Sequence, residues 1–77
     1  MNLSSSIKLI RQKELLSQQE FANELQVGLT TVNRWEGGKS VPNISAMKKI
    51  KVYCEKKGLD YDLVEKEWLI VRLEAKE

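Results

Sequence analysis

The 77 residues contain no histidine, a single cysteine, Cys54, and a single proline, Pro42. Without histidine the chain lacks the usual general base and the commonest metal ligand. One cysteine can form neither an internal disulfide nor a cysteine-rich zinc site. Cys54 therefore reads as a small apolar helix residue, and the expected compartment is a reducing cytoplasm. There is no phosphate loop of the G-x-x-x-x-G-K type and no evident pocket of paired carboxylates. We accordingly expect no catalytic residue, no metal, no cofactor and no enzymatic activity. Long apolar runs are scarce as well. The longest, Trp68 to Val71, is far too short for a membrane span, and the first residues, MNLSSSIKLIR, lack the apolar core of a signal peptide.

A chain of this length supports one small core, and 42% apolar with 31% charged residues is the composition of a globular domain. The net charge of +2 hides an asymmetry. Residues 1–58 carry ten Lys or Arg against five Glu, a net of +5, whereas residues 59–77 carry three basic and six acidic side chains, a net of −3. A basic body with an acidic end suits a polyanionic partner for the body, although solvated helix faces would give the same pattern.

The few turn residues, Gly28, Gly37, Gly38, Pro42 and Gly58, punctuate stretches rich in Leu, Lys, Glu and Gln, the texture of short helices joined by tight turns. The first helix is expected to start after Ser4 to Ser6, any of which can cap it, with Ile7 and Ile10 inward, and to end near Leu15. Ser17 caps a second, Glu20 completing an S-x-x-E box and Phe21, Ala22 and Leu25 forming its inner face. After a turn at Gln26 to Gly28, the stretch LTTVNRWE makes a third that closes at Gly37 or Gly38. Asn43 caps a fourth with Ile44, Met47, Ile50 and Cys54 on one side, ended by Gly58. Asp60 or Asp62 opens a fifth through Trp68 to about Ala75. The fold class is all-α, a bundle of about five helices, with residues 1–59 as the main bundle. Residues 60–77 form a terminal helix that either completes the core or dimerises.

On a wheel of about 100° per residue, with Val32 and Trp35 taken as the buried pair of the third helix, Thr30, Asn33 and Arg34 fall within roughly 50° of the outward direction. Leu29 and Thr31 flank them, and Glu36 lies beside the core edge. This short polar face fits the DNA major groove, where Arg takes guanine O6 and N7, Asn takes adenine N6 and N7, and a Thr methyl meets thymine. A polar solvated helix is the plainer reading of the same residues.

The segments IKLIR (Ile7 to Arg11), LSQQEFANEL (Leu16 to Leu25) and TVNRWEGGKSVP (Thr31 to Pro42) resemble the Cro/repressor-type (XRE-like) helix-turn-helix family, whose R-W-E-x-G-K-x-x-P pattern is among its more specific signatures. The resemblance runs from Ile7 to Pro42 and less closely to Leu63. It implies a lambda-repressor-like bundle and sequence-specific binding of double-stranded DNA as a transcriptional regulator, usually by a homodimer on a two-fold operator. Position by position, it implies base reading by Leu29, Thr30, Asn33 and Arg34, and phosphate contacts by Gln18, Lys39 and Ser40. Arg11 and Glu36 match a structural pair joining the first helix to the third, and Trp35 is assigned to the core. Three positions depart from the family pattern: Gln26 and Leu15 stand where glycine is usual, and Gly28 where a Ser or Thr cap is preferred. The alternatives are a protein-interaction module with the same fold, or a DNA-binding domain detached from a larger protein such as a modification methylase.

The apolar residues of VEKEWLIVRLEAKE spread around most of a helical circumference. Val64, Trp68, Val71 and Ala75 make one stripe, Leu69 with Leu73 and Leu63 with Ile70 two more. One stripe is enough for the core, and the others are expected to meet a second copy of the chain.

Overall fold

The computed structural model describes residues 1–75, with Ala75 as backbone only, so the last members of the terminal stripe and segment, from the Ala75 side chain to residue 77, lie outside it. Among the described residues there are five helices and no strand: α1 (Leu3–Lys13), α2 (Gln18–Leu25), α3 (Leu29–Glu36), α4 (Ile44–Lys57) and α5 (Asp62–Ala75). No described helix is long and apolar enough to cross a membrane.

Helix α1 starts earlier than the serine run suggests. Asn2, not a serine, caps it, its Oδ1 accepting from the Ser5 N–H at 2.8 Å and from the Ser4 hydroxyl at 3.0 Å. The reason is burial of Leu3, which draws the first turn into the helix. Ser6 is consequently buried and donates its hydroxyl to the Leu3 carbonyl at 2.8 Å, which satisfies it within the helix. Helix α2 opens on the reciprocal capping box: Glu20 N–H donates to the Ser17 hydroxyl, and the Ser17 N–H to the Glu20 carboxylate at 2.8 Å. Hydrogen bonding to the exposed Glu20 carboxyl from the Ser17 backbone N–H, and next from the Ser17 side chain, holds it below its usual pKa.

The core is one cluster built from Ile7 and Ile10 of α1, Phe21, Ala22 and Leu25 of α2, Val32 and Trp35 of α3, Met47, Ile50, Tyr53 and Cys54 of α4, and Val64 of α5. Helix α3 packs against α1 and α2, α4 against α2, and α5 against α1. Phe21 meets Tyr53 edge to face, with centroids 5.6 Å apart. Burial pushes the Cys54 thiol up to about 11, which keeps it an inert packing group. Ile44, expected on the inner side of α4, is exposed. It lies about 120° from Ile50 on the wheel, outside the arc that Ala46, Met47, Ile50, Tyr53 and Cys54 bury.

The terminal helix adds Val64 to the core and leans Trp68 and Val71 against it. Asp60 starts it by accepting the Asp62 N–H at 3.0 Å. The Trp68 indole N–H donates to the Pro42 carbonyl at 2.7 Å, and the Arg72 guanidinium lies over the same ring at 4.9 Å. Leu63, Leu69, Ile70 and Leu73 remain exposed.

Among the described residues, two non-glycines sit in the left-handed region, Leu15 and Gln26, both at φ 57°. Each follows a helix where the family usually places glycine, and each adopts the glycine-like turn rather than avoiding it. A side chain there crowds its own carbonyl at a cost of about 1–2 kcal/mol. Leu15 is 90% exposed and so recovers nothing by burial. Leu15→Gly is therefore expected to stabilise the fold by about 1 kcal/mol after the entropy that glycine adds to the unfolded chain. Thermal unfolding should show a higher midpoint, and an unchanged or lower one would contradict the strain argument.

Candidate nucleic-acid interface

Helices α2 and α3 are joined by a turn built on Gln26, whose left-handed backbone lets the Val27 N–H reach the Ala22 carbonyl at 3.0 Å. The Lys49 ammonium from α4 donates to the Gln26 carbonyl at 3.3 Å and ties the turn to the bundle. This sets the angle at which α3 leaves α2. Val32 and Trp35 are buried, and Thr30, Asn33 and Arg34 project outward, with Leu29 42% exposed at the helix start. Gly28 precedes α3 with no side-chain cap, so the first backbone N–H groups keep their positive end open to an anion.

At the other end of α3 the chain turns through Gly37 and Gly38. Gly38 takes φ 72°, and a Cβ on Gly37 would approach the Asn33 carbonyl at 3.2 Å. The loop then wraps back on the helix: the Lys39 N–H donates to the Arg34 carbonyl at 2.8 Å and the Ser40 N–H to the same oxygen at 3.4 Å. Lys39 is exposed and Ser40 half-buried, beside the recognition-type face. Arg34 does not extend freely into solvent. Its Nη2 donates to the Lys39 carbonyl at 3.3 Å, a surface bond that a stronger acceptor would replace.

Arg11 and Glu36 form a bidentate ion pair. Nε donates to Oε2 at 2.7 Å and Nη2 to Oε1 at 2.8 Å, with only 12% and 3% of the two side chains exposed. The remaining arm, Nη1, donates to the Leu16 carbonyl at 2.8 Å. One guanidinium thus fastens α1 to the end of α3 and to the entry of α2. The Glu36 hydrogen bond raises the Arg11 pKa above its ordinary value against the opposing effect of burial.

Gln18, at the first turn of α2, is held from two sides. Its Nε2 donates to Glu36 Oε1 at 3.1 Å, and its Oε1 accepts from Asn33 Nδ2 at 3.2 Å. The structure therefore brings Gln18, Asn33, Glu36 and Arg11 into one chain of contacts, whereas Lys39 and Ser40 meet Arg34 from the loop that follows the helix. The sequence puts Gly28 at the cap position of α3 but gives no sign of what lies beside it. A groove of about 460 Å³ is lined by Gly28, Thr31 and Trp35 together with Asn43, Ser45 and Lys49. It sets the start of α4 beside the start of α3, and no periodicity within one helix signals that juxtaposition.

The helix-turn-helix family model matches residues 7–61. A similar protein is the HTH-type transcriptional activator BcrR of Enterococcus faecalis, 30% identical over 53 residues. The alignment covers 69% of this chain and 26% of BcrR, so the chain spans about a quarter of that relative's length. No solved structure matches.

The ion pair supplies the stability test of this site. Truncating one partner leaves the other charge poorly solvated at the core edge, at a cost of about 3 kcal/mol, against the 0–1 kcal/mol typical of an exposed pair. Arg11→Ala should lower the thermal midpoint by roughly 10–20 °C in a domain of this size. An unchanged midpoint would show that the pair is energetically idle.

Proposed function

Because the chain belongs to the helix-turn-helix family, we propose that it binds double-stranded DNA in a sequence-specific manner as a transcription regulator, reading the major groove with α3. The observation that carries this reading is the division of α3 into a buried face, Val32 and Trp35, and an outward face of Thr30, Asn33 and Arg34 beside an uncapped helix start. Arg34 reads guanine, Asn33 reads adenine, and Leu29 and Thr30 make the apolar and hydroxyl contacts that accompany them. Gln18, Lys39 and Ser40 bracket α3 and hold the phosphates on either side. The name of the relative, a transcriptional activator, supports regulation of transcription. The work is done in the cytoplasm, on DNA, and requires no catalysis.

The two kinds of contact separate in solution. Arg34→Ala should cost about 1–3 kcal/mol on a selected duplex and relax the preference at one base pair. Lys39→Ala should weaken all duplexes alike and reduce the slope of log K against log salt by about one unit. Gel-shift titrations over a salt series measure both. An Arg34 variant with full affinity and unchanged preference would refute the base-reading role, and a sequence-restricted loss in the Lys39 variant would refute the phosphate role.

The regulator acts as a homodimer through α5. Support comes from the four exposed apolar residues, Leu63, Leu69, Ile70 and Leu73, on a helix whose Val64 is already buried in the core. A two-fold pair would set two copies of α3 on half-sites roughly 34 Å apart. Sedimentation equilibrium at micromolar concentration should give a dimer that Leu69→Glu or Ile70→Glu dissociates. A monomer throughout, binding a palindromic site without cooperativity, would exclude it.

A further inference from the structure

The side-chain bonds that end on Asn33 have a direction, and that direction starts at a charge. Arg11 has only donors, and it engages both oxygens of Glu36. The Glu36 carboxylate has only acceptors to offer, so the side chain of Gln18 that reaches it must present its amino group, as it does at 3.1 Å. The amide of Gln18 is then oriented with its carbonyl oxygen toward α3. The neighbour at that oxygen, Asn33, must in turn present its amino group, at 3.2 Å. Asn33 is left with one N–H and the lone pairs of Oδ1 for an outside partner. An acceptor beside a donor on one amide edge is the complement of adenine, which offers the N6 amino group and the N7 acceptor in the major groove. Guanine offers two acceptors there, O6 and N7, and would require the opposite orientation with N–H groups outward.

We infer that Glu36 and Gln18 are positioning residues for sequence selection: the Arg11–Glu36 ion pair sets the hydrogen-bond polarity of Gln18, and through it orients Asn33 to select adenine over guanine. Glu36 is mostly buried and touches no base in this scheme, and its effect reaches DNA only through two amide groups. The inference rests on α3 being the DNA-reading helix. It adds a determinant of base preference lying behind the reading face.

The double variant Arg11→Met/Glu36→Leu tests the polarity: it removes both charges together, so neither is left uncompensated, and the Gln18 amide loses the acceptor that fixes its direction. Gln18→Met removes the relay without removing either partner of the ion pair, and it serves if the double variant fails to fold. Selection of bound duplexes from a random pool identifies the base pair whose preference Asn33→Ala abolishes. At that pair the unmodified protein should favour adenine over guanine. Both the double variant and Gln18→Met should reduce the ratio of affinities by about tenfold, while the preference at the Arg34 pair stays unchanged. Since Gln18→Met also weakens every duplex by a lost phosphate contact, the ratio and not the affinity is the readout. In the protein without DNA, the Asn33 side-chain amide resonances should shift in both variants. Retention of the full adenine preference in Gln18→Met, with Asn33→Ala still abolishing it, would overturn the relay and leave DNA reading by α3 intact. If Asn33→Ala changes no preference at any pair, Asn33 reads no base and the relay falls with it, while reading by α3 stands or falls separately on Arg34→Ala.

Discussion

The Arg11–Glu36 ion pair ties three of the five described helices together. Its two partners are separated by 25 residues, and the guanidinium spends its third arm on the Leu16 carbonyl, so α1, the entrance to α2 and the last residue of α3 are fixed to one planar group. The apolar core would tolerate small rotations of α3 about its own axis, because Val32 and Trp35 contact the bundle without directional preference. A bidentate pair with little exposure does not tolerate them. The orientation of the polar face of α3 is therefore set at the helix end by charge, while the core sets only its depth.

A second constraint acts at the opposite end of the same helix. The left-handed Gln26 bends the chain between α2 and α3, and Lys49 holds the carbonyl of that residue from α4. With one end fixed by the turn and the other by the ion pair, α3 has little freedom although it is only eight residues long and carries no side-chain cap. Short helices of this kind owe their existence to packing and not to intrinsic propensity.

Much of this was legible in the chain. The Ser17/Glu20 capping box, the Val32/Trp35 pair, the closing glycines and the apolar stripe of α5 are local patterns with local causes, and they define five helices and the face that α3 turns outward. The misplacements have equally physical causes. Asn2 displaced the serines as cap because burial of Leu3 is a tertiary event, and Ile44 fell outside an arc that only the packing of α4 defines. The candidate site was legible as a set of residues but not as a network. Gln18 meets Glu36 and Asn33 across 18 and 15 residues, distances over which no periodicity carries information. The groove between the starts of α3 and α4 was invisible for the same reason.

The bond from the Trp68 indole to the Pro42 carbonyl has a practical side. The two tryptophans occupy unlike settings: Trp35 is sealed into the core behind the polar face, and Trp68 lies half-buried at the latch of α5, with its N–H engaged and a guanidinium over its ring. Their emission therefore reports on different events. Peeling of α5 from the loop releases the Trp68 indole N–H to water and changes its emission directly, whereas loss of the core is needed to expose the Trp35 ring in full. With one Trp→Phe replacement at a time, the chain carries its own pair of optical probes, one for the attachment of its terminal helix and one for the integrity of the bundle.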